Sequence, residues 1–201
     1  MFDLVALVKA AGYLGLFGIV FAESGLLIGF FLPGDSLLFT AGILASQGYG
    51  QIVLVIAACF LGAVLGDSVG YAFGRRVGPA IFRRNDSIVF NKDHIERARA
   101  FYAKYGAKTI VLARFIPVVR TFAPVLAGVG EMPYTTFLTY NIAGGLLWGV
   151  GMPLLGYYLG SAIPDIDRYL VPGVIVIVIL SVIPPALHFY RDYRARKQAQ
   201  K

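Results

Sequence analysis

Ala107–Gly130 reads AKTIVLARFIPVVRTFAPVLAGVG, and the fold turns on how this stretch is accommodated. It is apolar enough for a bilayer, yet it carries Arg114, Pro117, Arg120 and Pro124. A straight transmembrane helix would strand both guanidiniums in hydrocarbon, at ~2.5–3.5 kcal/mol each on insertion scales. The prolines also remove backbone donors that lipid cannot replace. A helix that enters, turns at a proline and leaves on the same side avoids both costs, provided other helices or a water-filled cavity enclose it. Residues 107–130 are therefore read as a re-entrant hairpin.

Residues 13–42 pose the same problem and receive the same solution, with Glu23 followed by Pro33, Gly34 and Asp35 inside an apolar run. Three further segments reach the ~20 apolar residues that a crossing requires. Residues 51–74 contain one charge, Asp67; residues 133–160 contain none; residues 170–190 are the most apolar, despite Pro184 and Pro185 near their end. The whole composition agrees. Of 201 residues 58% are hydrophobic and 14% charged, against about 25% charged in a typical soluble domain, and the mean hydropathy is +0.72. No block of mixed charge is long enough for a second, soluble domain, so residues 1–201 form a single membrane domain.

The net charge of +7 suggests nucleic acid until its carriers are placed. Most crowd the connector 75–106 (Arg75, Arg76, Arg83, Arg84, Lys92, Arg97, Arg99, Lys104) or the tail 191–201 (Arg191, Arg194, Arg196, Lys197, Lys201). Short basic segments beside membrane spans lie on the cytoplasmic side, so nucleic acid is excluded and the C-terminus is expected in the cytoplasm. Within the connector, Asn91–Tyr105 reads as an amphipathic surface helix, with Ile95, Ala98, Phe101, Tyr102 and Tyr105 at helical spacing. Asp3 occupies the place of a basic leader region, so no cleavable signal peptide is expected. Cys59 is single and lies in an apolar run, where it serves as a small buried hydrophobe.

The chain also repeats. Ala41-Gly42 is followed by Gly70-Tyr71-Ala72-Phe73-Gly74, and Ala127-Gly128 by Gly156-Tyr157-Tyr158-Leu159-Gly160, with an 86-residue offset between the copies. Each copy is a charged hairpin, which makes no net crossing, followed by a span, which makes one. Two consecutive copies are then inverted, and their hairpin tips meet near the midplane, where inverted-repeat transporters place substrate and ion sites. The expected fold is an all-α polytopic membrane protein: an inverted repeat of re-entrant hairpin plus transmembrane helix, with an extra C-terminal transmembrane helix and an external N-terminus.

Burial disfavours the charged form of a carboxylic acid, which suits Glu23 and Asp35 to proton coupling. Arg114 and Arg120 stay charged, and their guanidiniums match the oxygens of an anionic headgroup. The alternative is that acids and arginines simply pair and hold the hairpin tips together. Asp67 is a supporting residue that accepts from a hairpin backbone donor or neutralises Arg75 or Arg76; Pro33, Gly34 and Pro117 shape the turns. Gly62, Gly66, Gly70 and Gly74 line one helix face for close packing, and Gly144, Gly145, Trp148 and Gly149 are read as packing too. His94 lies in the basic connector and His188 near the cytoplasmic end of the last span, with no Cys/His cluster, so no metal site, cofactor or hydrolytic base is expected and the chain is read as a non-enzyme.

The ordered set Phe31-Leu32-Pro33-Gly34-Asp35, Gly66-Asp67-Ser68-Val69-Gly70-Tyr71-Ala72-Phe73-Gly74-Arg75, Arg114-Phe115-Ile116-Pro117-Val118-Val119-Arg120 and Ala127-Gly128 with Met132, Phe137 and Trp148 resembles the DedA family, also called SNARE-associated or VTT-domain proteins. The resemblance covers residues 10–160. It implies a multi-pass protein of the bacterial inner membrane with two opposed re-entrant hairpins and a part in proton-motive-force-dependent membrane homeostasis. Bacterial members are linked to undecaprenyl phosphate translocation, eukaryotic relatives to phospholipid scrambling, and some members to drug or metal-ion tolerance. The acidic pair of the family corresponds to Glu23 and Asp35, the arginine pair to Arg114 and Arg120. The expected function is a proton-coupled flippase of a lipid phosphate, first undecaprenyl phosphate; a small-solute or cation exchanger and a non-transporting scaffold are the alternatives. Its expected partners are a membrane lipid (polyprenyl phosphate or phospholipid) and protons, with a homo-oligomer left open.

Overall fold

The structure is a computed structural model and describes residues 4–25, 34–81, 100–102 and 104–162. Among them there is no strand; the chain is helical, as its sequence requires. Helix α1 (Leu4–Gly25) is interrupted at Gly12, whose φ of 59° and ψ of −164° only glycine adopts readily. The break falls one residue before the start of the first interrupted segment. Helix α2 (Gly34–Ser46) follows, then the long α3 (Ile52–Ile81). Helix α3 runs seven residues past the expected end of its span, so the basic connector begins as helix.

The second half starts with α4 (Lys108–Ala113) and α5 (Pro117–Val129). Between them the backbone turns at Arg114–Ile116, where Ile116 is extended (φ −114°, ψ 108°). A residue that precedes proline is pushed out of the α region, and proline at a helix start lacks only an N–H that would have had no partner there. Pro117 thus ends one helix and opens the next. Pro124, inside α5, does not break it. Helix α6 (Tyr134–Gly145), a π-helical turn (Leu146–Val150) and α7 (Gly151–Ala162) form one continuous rod over the span expected at 133–160. Pro33, most of the surface helix at 91–105, and the segments 170–190 and 191–201 lie outside the described residues, as do His94 and His188. Residues 100–102 and 104–105 are helical. Here Tyr102 turns inward and donates to the Ala123 carbonyl at 2.8 Å, and burial pushes its phenol pKa up.

Glycines set the packing. On α3, a Cβ at Gly62 or Gly66 would run into the backbone of α1 at Phe17 and Phe21, whereas at Gly74 it would strike Val125 of α5. The four-residue glycine ladder therefore serves two neighbours, α1 along its first half and α5 along its second. Helix α2 packs instead on α7, where Gly42 lies against Pro153 and Gly156 against Phe39. Copies 86 residues apart exchange partners: Gly42 of α2 seats on the second rod, and its counterpart Gly128 of α5 seats on α3 beside Tyr71. At Gly42 the obstructing wall is main chain, which cannot swing away. Gly42→Val should accordingly cost about 3 kcal/mol through overpacking, read as a lower unfolding temperature and a smaller monodisperse fraction in detergent.

Polarity is inverted relative to a water-soluble protein. Leu14, Val53, Leu61, Leu65, Val69, Phe73, Leu112, Phe122, Leu126, Leu147 and Leu155 are exposed, while Glu23, Asp67, Arg114 and Asn141 are buried. Soluble folds almost never bury such charges while presenting leucine to solvent along whole helices. Residues Ile52–Val77 and Tyr134–Ala162 are each long and apolar enough to cross a membrane. Apolar surface around a charged interior is the arrangement expected where the solvent is lipid.

Candidate functional site: a buried ion cluster around Trp148

Helix α1 brings Leu16, Val20 and Glu23 to one buried face, at spacings of four and three residues. Its last turn places the Glu23 carboxylate against Gly34, the first residue of α2, where any Cβ would collide with that carboxylate. Gly34 is thus required for contact rather than for turning. Asp35 follows in the first turn of α2, so two carboxylates sit at a helix N-terminus, where the partial positive charge favours anions.

Arg120, in the first turn of α5, joins these acids across 97 and 85 residues of sequence. Its Nη2 donates to Glu23 Oε1, and its Nη1 donates to Asp35 Oδ1 at 2.7 Å. The same Asp35 oxygen accepts from Trp148 Nε1 at 2.6 Å. Arg114, the first residue of the α4–α5 turn, makes a separate pair: its Nη2 donates to Asp67 Oδ2 on α3 and to Asn141 Oδ1 on α6. Asn141 Nδ2 in turn donates to the Val64 carbonyl at 3.0 Å. The Trp148 ring links the two pairs. The Arg120 Cζ lies 4.9 Å from its centroid and the Arg114 Cζ 5.9 Å, within the range of cation–π attraction.

The two pairs differ in enclosure. Arg114 is 4% exposed and Asp67 6%, so their charges are almost fully enclosed. The side chains of Arg120 and Asp35 are 13% and 28% exposed, against 2% for Glu23. A cleft lined by Ser24, Asp67, Ile110, Arg114, Arg120, Ala123, Pro124 and Trp148 has room for about one water molecule. In charge, Arg114 and Asp67 cancel. Glu23, Asp35 and Arg120, all ionised, sum to one net negative charge (−1 −1 +1). Among the described residues no group of three or more His, Cys, Asp or Glu could hold a metal ion.

All four charges proposed from sequence reach one region, but not as an acid pair facing an arginine pair. Asp67 is the reason. It was expected to neutralise Arg75 or Arg76 or to accept from a backbone donor, and it pairs with Arg114 instead. Arg75 lies eight residues along the same helix, about 12 Å away at 1.5 Å per residue, and its guanidinium turns to the Tyr71 hydroxyl at 3.0 Å. Trp148, read as packing, is a member of the cluster. Asn141 and Ser24 were not singled out at all. Two signals pointed to them: Asn141 is the sole carboxamide in 133–160, and Trp148 the sole tryptophan of the chain.

Comparison with known proteins adds lineage. Residues 32–158 match the model of the VTT domain. Protein DedA of Escherichia coli K12 is 40% identical over 201 residues, covering 99% of this chain and 91% of its own length. An uncharacterized membrane protein of Mycobacterium tuberculosis is 46% identical over 187 residues (92% of this chain, 82% of the relative). One of Mycobacterium leprae is 41% identical over 183 residues (91% and 82%). No solved structure matches the chain.

Proposed function

The chain belongs to the VTT-domain (DedA) family of membrane proteins, and from that premise we propose that it is a proton-coupled transporter of an anionic lipid headgroup. In this reading α1–α2 and α4–α5 are the arms of two re-entrant hairpins that dip from opposite leaflets of the bacterial inner membrane, with the C-terminus in the cytoplasm. The exchange of partners between copies 86 residues apart supports an inverted repeat. So does the meeting of the first turns of α2 and α5, since transporters aim broken-helix N-termini at anionic groups.

One observation carries the mechanism: both terminal nitrogens of Arg120, the more accessible guanidinium, are occupied by carboxylates. A phosphate oxygen pair requires the same fork. The headgroup therefore competes with Glu23 and Asp35, and protons on those acids remove the competition. Buried sites resist net charge. One proton shared between Glu23 and Asp35 neutralises the empty triad (−1 +1). A singly charged headgroup brings a second proton with it (−1 +2 −1), so loading is neutral overall. Transport should then follow the pH difference across the membrane, about 1.4 kcal/mol per unit. Arg114, neutralised by Asp67, holds the wall behind the headgroup. The narrow cleft represents a closed state, and opening it means releasing Arg120 of α5 from Glu23 and Asp35.

Reconstituted into liposomes, the protein should move labelled polyprenyl phosphate across the bilayer, faster with a pH gradient imposed. Undecaprenyl phosphate is the first substrate to try. No movement in a folded preparation, with a phospholipid as the second cargo, would reject the lipid reading. A cation exchanger fits the cluster less well, because the carboxylates that would hold a cation are already engaged by Arg120 and the Trp148 N–H.

A further inference from the structure

We propose that Trp148 is a positioning residue that reads the protonation of Asp35 and holds Arg120 when the carboxylates release it. The inference rests on the proton-coupled reading above, and it concerns the residue that links proton to anion. Three features of Trp148 support it. First, Trp148 lies buried in the π turn Leu146–Val150 that interrupts an otherwise α-helical rod, while Leu146 and Leu147 beside it stay exposed. Single π turns in helices frequently occur at functional sites. Second, its Nε1–H shares one oxygen of Asp35 with Arg120. Third, its ring face lies against both guanidiniums.

These contacts respond differently to a proton. The indole bond to Asp35 is charge-assisted only through the carboxylate and loses about half its strength when that carboxyl is neutral, while the Arg120 bonds to Glu23 and Asp35 lose their ion-pair attraction and keep an ionised donor alone. Attraction between ring and guanidinium does not involve the carboxyl at all. When Glu23 and Asp35 are protonated, Trp148 is the partner that Arg120 keeps, seated in place with its fork free. Among the described residues, other titratable and charged groups around Asp35 are few. Glu23 faces it from α1, Arg120 from α5, and Arg114 with Asp67 stands beyond the indole. Helix α7, packed along α2, contributes only the phenols of Tyr157 and Tyr158 as titratable groups.

Because Trp148 is the chain's single tryptophan, its emission reports this site alone. In the full-length protein in nanodiscs, emission should change through one titration between acidic and alkaline pH. Asp35→Asn should abolish that transition, and Glu23→Gln should move its midpoint. Flat emission in the wild type, or an unaltered titration in Asp35→Asn, would overturn the inference. Calorimetry with decyl phosphate as probe then separates ring from N–H. Trp148→Phe, which keeps a ring but no donor, should bind the probe with its pH dependence moved by about one unit. Trp148→Leu should weaken binding about tenfold or more at every pH. If both variants fold and bind with the wild-type pH profile, Trp148 only packs and the inference fails. If the wild type binds no probe while its emission titrates and Asp35→Asn silences it, the headgroup reading fails and the link between Trp148 and Asp35 stands.

Discussion

Replacing Arg120 by lysine should slow headgroup transport about a hundredfold, equivalent to ~2.7 kcal/mol in the barrier, while the protein still inserts and folds. The reason is geometric. Nη1 of Arg120 serves Asp35 on α2, and Nη2 serves Glu23 on α1. A lysine ammonium is a single point and cannot hold two acids on two helices in that planar arrangement, nor later grip two phosphate oxygens. A charge-assisted bond lost at such a site is worth about 1.5–3 kcal/mol, which sets the expected factor. Initial rates in proteoliposomes, matched for protein content, provide the measurement. Arg114→Lys is the informative contrast. There a single nitrogen, Nη2, serves both Asp67 and Asn141, so an ammonium can reproduce the pattern and the loss should be several times smaller. Equal losses at the two positions would place both guanidiniums on the headgroup. A lysine at 120 that transports at the wild-type rate would remove the fork from the mechanism.

Which parts of this arrangement are written in the sequence follows from the range of the interactions. Spans and breaks are local. Twenty apolar residues, a proline and the residue before it announce themselves within a window, and the turn at Ile116 before Pro117 and the break at Gly12 have reasons carried by one or two residues. The glycine ladder on α3 is local in the same sense, though its division between α1 and α5 is not. The cluster was partly legible because ionised side chains inside apolar segments must find partners, so Glu23, Asp35, Arg114 and Arg120 were bound to meet something. Which acid meets which arginine depends on the separation of helices 85 or 47 residues apart in sequence, and no periodicity encodes it. Asp67 was assigned to near neighbours in sequence for that reason. Trp148 was missed for another: an indole among leucines and glycines has the pattern of packing, and the π turn in which it sits leaves no mark in hydropathy.

The second large effect belongs to Asp67, and it separates holding from transporting. Asp67→Ala leaves Arg114 charged, enclosed and supported only by the Asn141 carbonyl oxygen and the Trp148 ring. Removing one partner of a buried pair costs about 3–5 kcal/mol, among the largest effects expected of a single substitution, and it should appear as a steep fall in unfolding temperature and in yield of folded protein. Replacing both members, Asp67→Leu with Arg114→Met, leaves no orphaned charge, and such exchanges are commonly neutral or stabilising by about 1–4 kcal/mol. Stability should therefore return in the double variant. The remaining triad keeps its charge, two acids against Arg120, so the proton balance of loading is unchanged. Transport should return with the fold, to within about tenfold of wild type, the residual loss reflecting a softer wall beside Trp148. A double variant that is stable yet silent would mean that the headgroup, on its way through, opens the Arg114–Asp67 pair as well, and that the transport pathway runs deeper between α3 and α6 than the exposed edge at Asp35.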